Sequence, residues 1–210
     1  MGKEAESAVQ LNIAIIPDLR IQEEALRLSE LLSRNFDTHF VLNNQNLIPH
    51  VTISQARYPE RNLGRVIDIV KAGTTKFKPF KVNLNTFDVR YGQFVFWNAE
   101  RTPNLVAFHQ QVVNVTNPLR EGLVIEHVAA MEGLTPEDVS DRENYGALLI
   151  GPRYQPHITL TRLKQTTLVE EITRFIGKGK QDQFDVKKII VGYLGNHGTV
   201  NGIIEEIPLG

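Results

Sequence analysis

The chain has 210 residues, of which 41% are hydrophobic and 22% charged, and its formal net charge is −1. These proportions are those of a globular domain and exclude a fibrous or disordered protein. The near-neutral charge argues against binding of long nucleic acid through an extended basic surface, because phosphate neutralisation supplies most of that affinity. The chain contains no cysteine, which excludes disulfides, thiolate nucleophiles and cysteine metal ligands.

The apolar runs of the sequence are short. The first ten residues lack the apolar stretch of a signal peptide, and no run approaches the roughly 18 residues of a membrane span. We therefore predict a cytoplasmic, monomeric protein that makes no membrane contact.

The first half of the chain alternates apolar runs with helical patterns. Residues 11–16 are apolar and β-branched and stop at Pro17, which is typical of a buried strand followed by a turn. Apolar residues then recur at helical spacing over residues 20–34. The further elements predicted in this half are strands at 38–42 and 48–54, a helix at 59–71, and strands at 80–88 and 93–98 joined by a hairpin at Tyr91 and Gly92.

The second half follows a similar order. Its predicted elements are a helix at 104–115, a strand at 155–161, a helix at 168–176, and strands at 185–194 and 200–207 around the GNHGT turn at 195–199. Residues 120–152 are longer than an ordinary connection, and Thr135 to Glu137 carry a helix-start signal. We interpret 120–152 as an insertion or lid within one domain that spans residues 1–210.

A five-residue motif occurs twice in the chain. Residues 49–53 read Pro-His-Val-Thr-Ile and residues 156–160 read Pro-His-Ile-Thr-Leu, each at the head of a predicted strand. Alternate side chains of a strand point to opposite faces. The polar faces are therefore predicted to hold His50, Thr52 and Ser54 in one strand, and His157, Thr159 and Thr161 in the other.

Two such strands facing one another form a cleft that suits a phosphate ester. Imidazole titrates near neutral pH, so one histidine can take a proton from water while the other gives a proton to the leaving oxygen. The threonine hydroxyls, Thr52 and Thr159, can donate hydrogen bonds to phosphate oxygens as charge develops there.

Chance recurrence and metal binding are the alternatives to this interpretation. With average residue usage, two such matches among six histidines arise in roughly one chain in 10⁵. A zinc site usually has three or four protein ligands, whereas here each histidine has a threonine where a further ligand is expected. We predict no metal.

The two His-x-Thr segments, about a hundred residues apart in an α+β chain, resemble the 2H phosphoesterase superfamily, and within it the 2′,5′ RNA ligase and cyclic phosphodiesterase group. The resemblance covers nearly the whole chain. It implies a bilobal α+β fold with a pseudo-two-fold duplication, in which antiparallel sheets line a central cleft and helices lie outside. It also implies that His50 and His157 act as acid and base, that Thr52 and Thr159 bind phosphate, and that no cofactor takes part.

The expected activity is hydrolysis of a 2′,3′-cyclic phosphate, or a related phosphodiester, of a nucleotide or RNA end. The first alternative is a nucleotide- or RNA-end-binding module that keeps the cleft with little turnover. The second is 2′,5′ RNA ligase activity, since the motif does not choose among the reactions of the superfamily.

Several residues near the motifs are candidate substrate contacts, although each has an ordinary structural interpretation. Arg57 and Arg162 follow the motif strands and can bind phosphate oxygens, but exposed arginines are commoner. Tyr58 and Tyr154 can stack on a base, but such tyrosines usually pack on the protein. Ser54 and Thr161 are also candidates, because each is predicted to lie on the same strand face as a motif histidine. The remaining histidines, His39, His109, His127 and His197, have no partner signature.

Overall fold

The computed structural model describes residues 7–210. The strands are β1 (Ala8–Ile15), β2 (Val51–Pro59), β3 (Phe80–Arg90), β4 (Phe94–Ala99), β5 (His157–Arg162), β6 (Gly179–Val186), β7 (Lys188–Leu194) and β8 (Val200–Pro208). The helices are α1 (Leu19–Asn35), α2 (Leu63–Thr74), α3 (Pro103–Thr116), α4 (Glu126–Ala129), α5 (Pro136–Tyr145) and α6 (Val169–Ile176). The predicted α+β class is confirmed.

All eight strands belong to one antiparallel sheet with the order β6-β3-β4-β5-β2-β1-β7-β8. This corrects the expectation of more than one sheet. The motif strands β5 and β2 are adjacent at the centre, where they pair only at Val51 and Ile158. Because their contact is so short, the two four-stranded halves meet along a narrow seam. The predicted pseudo-two-fold duplication stays a prediction.

Helix starts follow local signals in the sequence. Asp18 caps α1 by accepting a hydrogen bond from the Ile21 amide, and Thr102 does the same for α3 through Leu105. Thr135 caps α5, as its sequence predicts. Proline at the first turn of α3 and α5 has no amide hydrogen to leave unpaired.

The main core lies between the helices and one face of the sheet. Val51 and Ile53 of β2, and Ile158 and Leu160 of β5, are fully buried in it. Helix α3 packs against β2, and α1 packs against β5. Burial of these aliphatic side chains contributes about 1.5–3 kcal/mol each, which fixes both motif strands to a rigid base.

Two predicted strands differ from the structure in kind, and other boundaries shift: β2 extends to Pro59, so that α2 begins at Leu63 rather than at residue 59. Residues 38–42 form no strand: Thr38 makes one isolated bridge with Leu163, while Phe40 and Leu42 are buried as an irregular segment. The predicted strand at 185–194 belongs to two strands, because the chain pairs with β3 up to Val186 and with β8 and β1 from Lys188 onward. The sequence of β6 is largely polar, which is why its apolar pattern is weak.

Residues 120–152 fold against the sheet around a small apolar cluster of their own. Ile125, Val128, Ala147 and Ile150 are buried there together with Val113 of α3. The buried Arg120 guanidinium donates hydrogen bonds to the carbonyls of Leu123 and Glu143, which ties the segment's ends together. Among residues 7–210, no helix has the length and apolar character to cross a membrane.

Candidate active site

The four motif side chains form a compact group at the centre of the sheet. The pairing of Val51 with Ile158, continued by one residue in each direction, places His50 opposite Thr159 and Thr52 opposite His157. Directly opposed residues of an antiparallel pair have Cβ atoms about 4.5–5.5 Å apart. Each imidazole therefore lies across from the threonine of the other motif, and the two imidazoles lie on a diagonal.

Both imidazoles are held in the same way. His50 Nδ1 lies 2.7 Å from the Ile48 carbonyl oxygen, and His157 Nδ1 lies 2.7 Å from the Gln155 carbonyl oxygen. A carbonyl only accepts, so Nδ1 carries the proton in each neutral ring and Nε2 keeps its lone pair, which in His50 faces the Asn12 amide nitrogen at 3.3 Å. The proline before each histidine holds the accepting residue in extended backbone. The repeated Pro-His dipeptide thus selects the tautomer in which Nε2 can take up a proton.

Asn12 of β1 is a polar residue of the site that the motif analysis missed. Its side chain is fully buried, and Nδ2 lies 3.3 Å from His50 Nε2, 3.2 Å from Thr52 Oγ1 and 3.4 Å from the Gly198 carbonyl oxygen. Asn12 Oδ1 is buried without a hydrogen-bond partner. An isolated asparagine inside an apolar strand was the only signal in the sequence. Asn12 ties the first histidine to its threonine.

Two bulges decide which residues after the motifs reach the cleft. Against β1 the register shifts so that Ile53 of β2 is the extra residue, and against β4 Leu160 of β5 is the extra residue. Both lie three positions after the histidine. A bulge shifts the alternation of side chains by one residue, so Gln55 and Arg162 line the cleft on the histidine face.

The same bulges turn Ser54 and Thr161 away from the cleft, which corrects their prediction as substrate contacts. Ser54 is 4% exposed and lies beside α3, near Val113 and Thr116. Thr161 is fully buried and donates a hydrogen bond to the Phe40 carbonyl oxygen at 2.6 Å. Both hydroxyls belong to the packing beneath the site.

Arg162 is held in place at one end of the cleft. Its Nε and one terminal nitrogen donate to Gln93 Oε1 at 3.2 and 2.9 Å, and the other terminal nitrogen lies 3.1 Å from His197 Nδ1. The guanidinium carbon lies 5.0 Å from the centre of the Phe94 ring. A fixed guanidinium suits an anionic group. His197, which has no partner signature in the sequence, therefore belongs to the cleft.

The other predicted contacts lie elsewhere or in a supporting position. Tyr58 is 1% exposed in the core, and burial raises the pKa of its hydroxyl to about 12. Arg57 pairs with Glu126 at 3.3 Å, outside the cleft. Tyr154 is 4% exposed, stacks on His109 at 3.9 Å and donates to the Thr52 carbonyl oxygen at 2.8 Å. Tyr154 thus supports the backbone of the first motif.

The cleft has a volume of about 560 Å³, which is in the range of small-molecule sites. Its floor holds Thr52, His157 and Thr159. Much of one wall comes from the segment 120–152, through the mostly apolar residues Val128, Met131, Leu134, Leu148, Leu149 and Ile150. The segment predicted as an insertion or lid thus contributes to the walls of the site.

Solved structures from Thermus thermophilus and E. coli share this architecture. TT0787 of Thermus thermophilus matches with a TM-score of 0.60 and 15% identity, over 95% of this chain and 97% of its own. E. coli LigT complexed with 3′-AMP matches with a TM-score of 0.56 and 11% identity, over 97% and 99%. LigT complexed with phosphate gives 0.51 and 12%, over 98% and 99%.

The chain has the LigT fold. The resemblance to 2H phosphoesterases drawn from the two motifs is confirmed at the level of the fold. No model of a known protein family matches the chain, and no curated protein matches it. At these sequence identities the similarity shows only the fold. The chemistry of the cleft is therefore argued from the residues of this chain.

Within this LigT fold, both imidazoles are neutral in the free protein near pH 7. Burial lowers the pKa of His50, although the carbonyls of Ile48 and Gly198 oppose this effect. Burial lowers the pKa of His157 to about 4, with the nearby His50 and Arg90 acting in the same direction. The ring of His157 also stacks on Phe96 at 3.6 Å. The effect of His50 on His157 is consistent with their diagonal positions on the paired strands.

The donor set of the cleft does not resemble a metal site. Over residues 7–210, no group of three or more His, Cys, Asp or Glu side chains is arranged to hold a metal ion. The floor holds one imidazole, His157, and two hydroxyls, while the His50 imidazole is 6% exposed, does not line the cleft and is linked to Thr52 through Asn12. These groups suit proton transfer and hydrogen bonding to an oxyanion.

Proposed function

We propose that this protein hydrolyses a nucleoside 2′,3′-cyclic phosphate, or a related phosphodiester, to a monophosphate without a metal ion. The observation that carries the proposal is the pair of imidazoles with the same tautomer-selecting bond, set diagonally across two paired strands with a threonine opposite each. In this reaction water attacks phosphorus, the P–O bond to one ribose oxygen breaks, and that oxygen receives a proton. Solved LigT complexes with phosphate and 3′-AMP support a ligand of this class.

The surroundings of the two imidazoles assign them different roles in this proposal. His157 Nε2 has no hydrogen-bond partner among residues 7–210, and its low pKa keeps the ring unprotonated. Each imidazole has a carbonyl at Nδ1 that favours the protonated form, and His50 has the Gly198 carbonyl in addition. His157 is therefore the general base, and His50 the general acid that protonates the leaving ribose oxygen.

The pH dependence follows from the lowered pKa values. The productive state has one imidazole protonated, and in the free protein this state is populated only below the ordinary imidazole pKa of about 6.5. We expect kcat/KM, which reports the free protein, to have its maximum on the acidic side of that value. A bound phosphate favours the imidazolium ion, so the maximum of kcat is expected at higher pH than that of kcat/KM.

Asn12→Asp tests this assignment within the same measurement. A carboxylate at this position lies against His50 and raises the pKa of the imidazole, so the alkaline limb of the kcat/KM profile is expected to move to higher pH. Asn12→Leu serves as the control, since it removes the amide without adding charge. Profiles of Asn12→Asp and wild type that coincide would contradict the role of His50 as acid.

The decisive assay uses the 2′,3′-cyclic phosphates of adenosine, guanosine, cytidine and uridine, with EDTA present throughout. We expect hydrolysis to a nucleoside monophosphate at a rate that the chelator does not change, because two imidazoles supply both proton transfers. Loss of activity in EDTA with recovery on adding zinc would overturn the metal-free mechanism. Binding of all four nucleotides with no turnover would instead identify a nucleotide-binding module.

A further inference from the structure

Three loops around the cleft contain residues other than glycine whose backbone φ angle is positive. Of the described residues other than glycine, Tyr91, Glu121, Leu149 and His197 have positive φ, between 52° and 62°. Tyr91, Leu149 and His197 all line the cleft. Such conformations are sparsely populated for side chains with a Cβ, and they concentrate at functional sites where the surrounding structure enforces them.

Tyr91 is the most informative of the three, because its turn has a known residue preference. The β3–β4 hairpin ends in a turn closed by the Gln93 amide, which donates to the Arg90 carbonyl oxygen at 3.1 Å. Both central residues, Tyr91 and Gly92, have positive φ (53° and 68°), as a type I′ turn requires. The first central position favours Asn, Asp or Gly. Tyrosine is therefore a poor choice for the turn.

The hairpin tip is packed firmly enough to hold this conformation. A Cβ built on Gly92 would lie 2.6 Å from Thr166 Cγ2, so the turn rests closely on the segment after β5. The Gly92 carbonyl oxygen accepts a hydrogen bond from the Thr167 amide at 2.8 Å. The position of the Tyr91 side chain at the cleft mouth is thus fixed by its backbone.

The other aromatic rings of the cleft already have partners on a face. Phe96 stacks under His157, Phe94 lies beneath the Arg162 guanidinium, and Tyr154 stacks on His109. Tyr91 is 70% exposed and meets Phe94 only edge-on, with ring centres 6.5 Å apart. Among the Phe and Tyr rings that line the cleft, Tyr91 is therefore the one whose faces are open to a ligand.

The segment 120–152 contributes apolar residues to the same cleft as Tyr91. Met131, Leu134 and Leu149 line the cleft, and Asp138 of this segment and Arg153 just after it act electrostatically on the Tyr91 hydroxyl. The cleft thus combines an exposed aromatic ring and apolar residues with a floor that suits phosphate. A base joined to phosphate through ribose has this combination of groups.

We propose that Tyr91 is a specificity-determining residue that stacks on the nucleobase, so that the cleft selects nucleoside phosphodiesters over phosphodiesters without a base. The inference rests on the proposed function, which places the phosphate at the motif residues. It adds the nucleobase, which those residues do not contact. Every base has a π-face, so Tyr91 favours a base without choosing one sequence.

Tyr91→Asn tests the inference, because asparagine suits the turn better than tyrosine does. Calorimetric binding of adenosine 3′-monophosphate and of inorganic phosphate is compared for wild type, Tyr91→Asn and Tyr91→Phe. We expect Tyr91→Asn to weaken nucleotide binding by about 5- to 100-fold, the loss of one stacked base. Binding of inorganic phosphate is expected to stay unchanged, and Tyr91→Phe to keep nucleotide affinity.

Equal nucleotide affinity of wild type and Tyr91→Asn would overturn the inference, as would an equal loss for nucleotide and inorganic phosphate. The unfolding temperature of Tyr91→Asn is expected to match or exceed that of wild type, which separates lost stacking from a damaged turn. Tyr91-dependent nucleotide binding in a protein that hydrolyses no cyclic phosphate would support stacking while contradicting the proposed function.

Discussion

Replacing His50 or His157 by alanine is expected to lower the turnover of a 2′,3′-cyclic nucleotide by about 10²- to 10⁴-fold, the usual contribution of general acid or base catalysis. The two groups act in one step, so the double variant should lose far less than the product of the single losses. Circular dichroism and thermal unfolding check that the fold is kept. His39→Ala is the matched control, since His39 is exposed and lies outside the cleft lining.

The leaving group distinguishes the two imidazoles. A nitrophenyl phosphodiester of a nucleoside releases a weakly basic oxygen that needs little help from an acid. His50→Ala should therefore recover much of its activity on this substrate, while His157→Ala stays impaired because the attacking water still needs a base. Equal recovery of the two variants would contradict the assigned roles.

Thr52→Val and Thr159→Val are each expected to lower kcat by about 10²- to 10³-fold, as for loss of one donor to a developing oxyanion. Thr52 Oγ1 accepts a hydrogen bond from Asn12, so its own hydrogen remains available to a phosphate oxygen. Valine keeps the shape of threonine, which limits the change to the hydroxyl. Serine at either position restores the donor and should recover most of the rate.

Thr161→Val provides a matched control on the same strand as Thr159. The Thr161 hydroxyl donates to the buried Phe40 carbonyl oxygen, so its loss should cost about 1–3 kcal/mol of stability through an unpaired polar group. Turnover of the folded protein should stay close to wild type. A loss of kcat at Thr161 as large as that at Thr159 would show that the hydroxyl effect is not specific to the cleft.

The motif residues could be predicted because strand periodicity and imidazole chemistry act locally. Two adjacent residues, proline and histidine, determine the bond from Nδ1 to the preceding carbonyl, and the repeat indicated two related strands. Their meeting at the centre of one sheet depends on long-range pairing. Long-range pairing also places β6, a polar strand late in the chain, beside β3. No local sequence pattern contains this information.

Ser54 and Thr161 show where strand periodicity fails. Strict alternation puts them on the face of the histidines, but each bulge inserts a residue and gives that face to Gln55 and Arg162 instead. A bulge arises from the register of neighbouring strands, so the motif strand alone does not reveal it. Arg162 was a candidate for its charge, whereas Gln55 had no sequence signal.

Asn12 was missed for a related reason. It lies in an apolar run on β1, 38 residues before His50, and its role depends on the pairing of β1 with β2. Residues 120–152 were identified as unusual from their length, yet their contribution to the cleft wall depends on how their small core docks beside α3.

The most direct test of the central claim is a crystal structure of the protein with adenosine 3′-monophosphate bound. We expect the Nε2 atoms of His50 and His157 to lie within about 3 Å of oxygens of the same phosphate, with the Thr52 and Thr159 hydroxyls on its remaining oxygens. A phosphate that contacts only one imidazole, or that binds away from the motif strands, would contradict it.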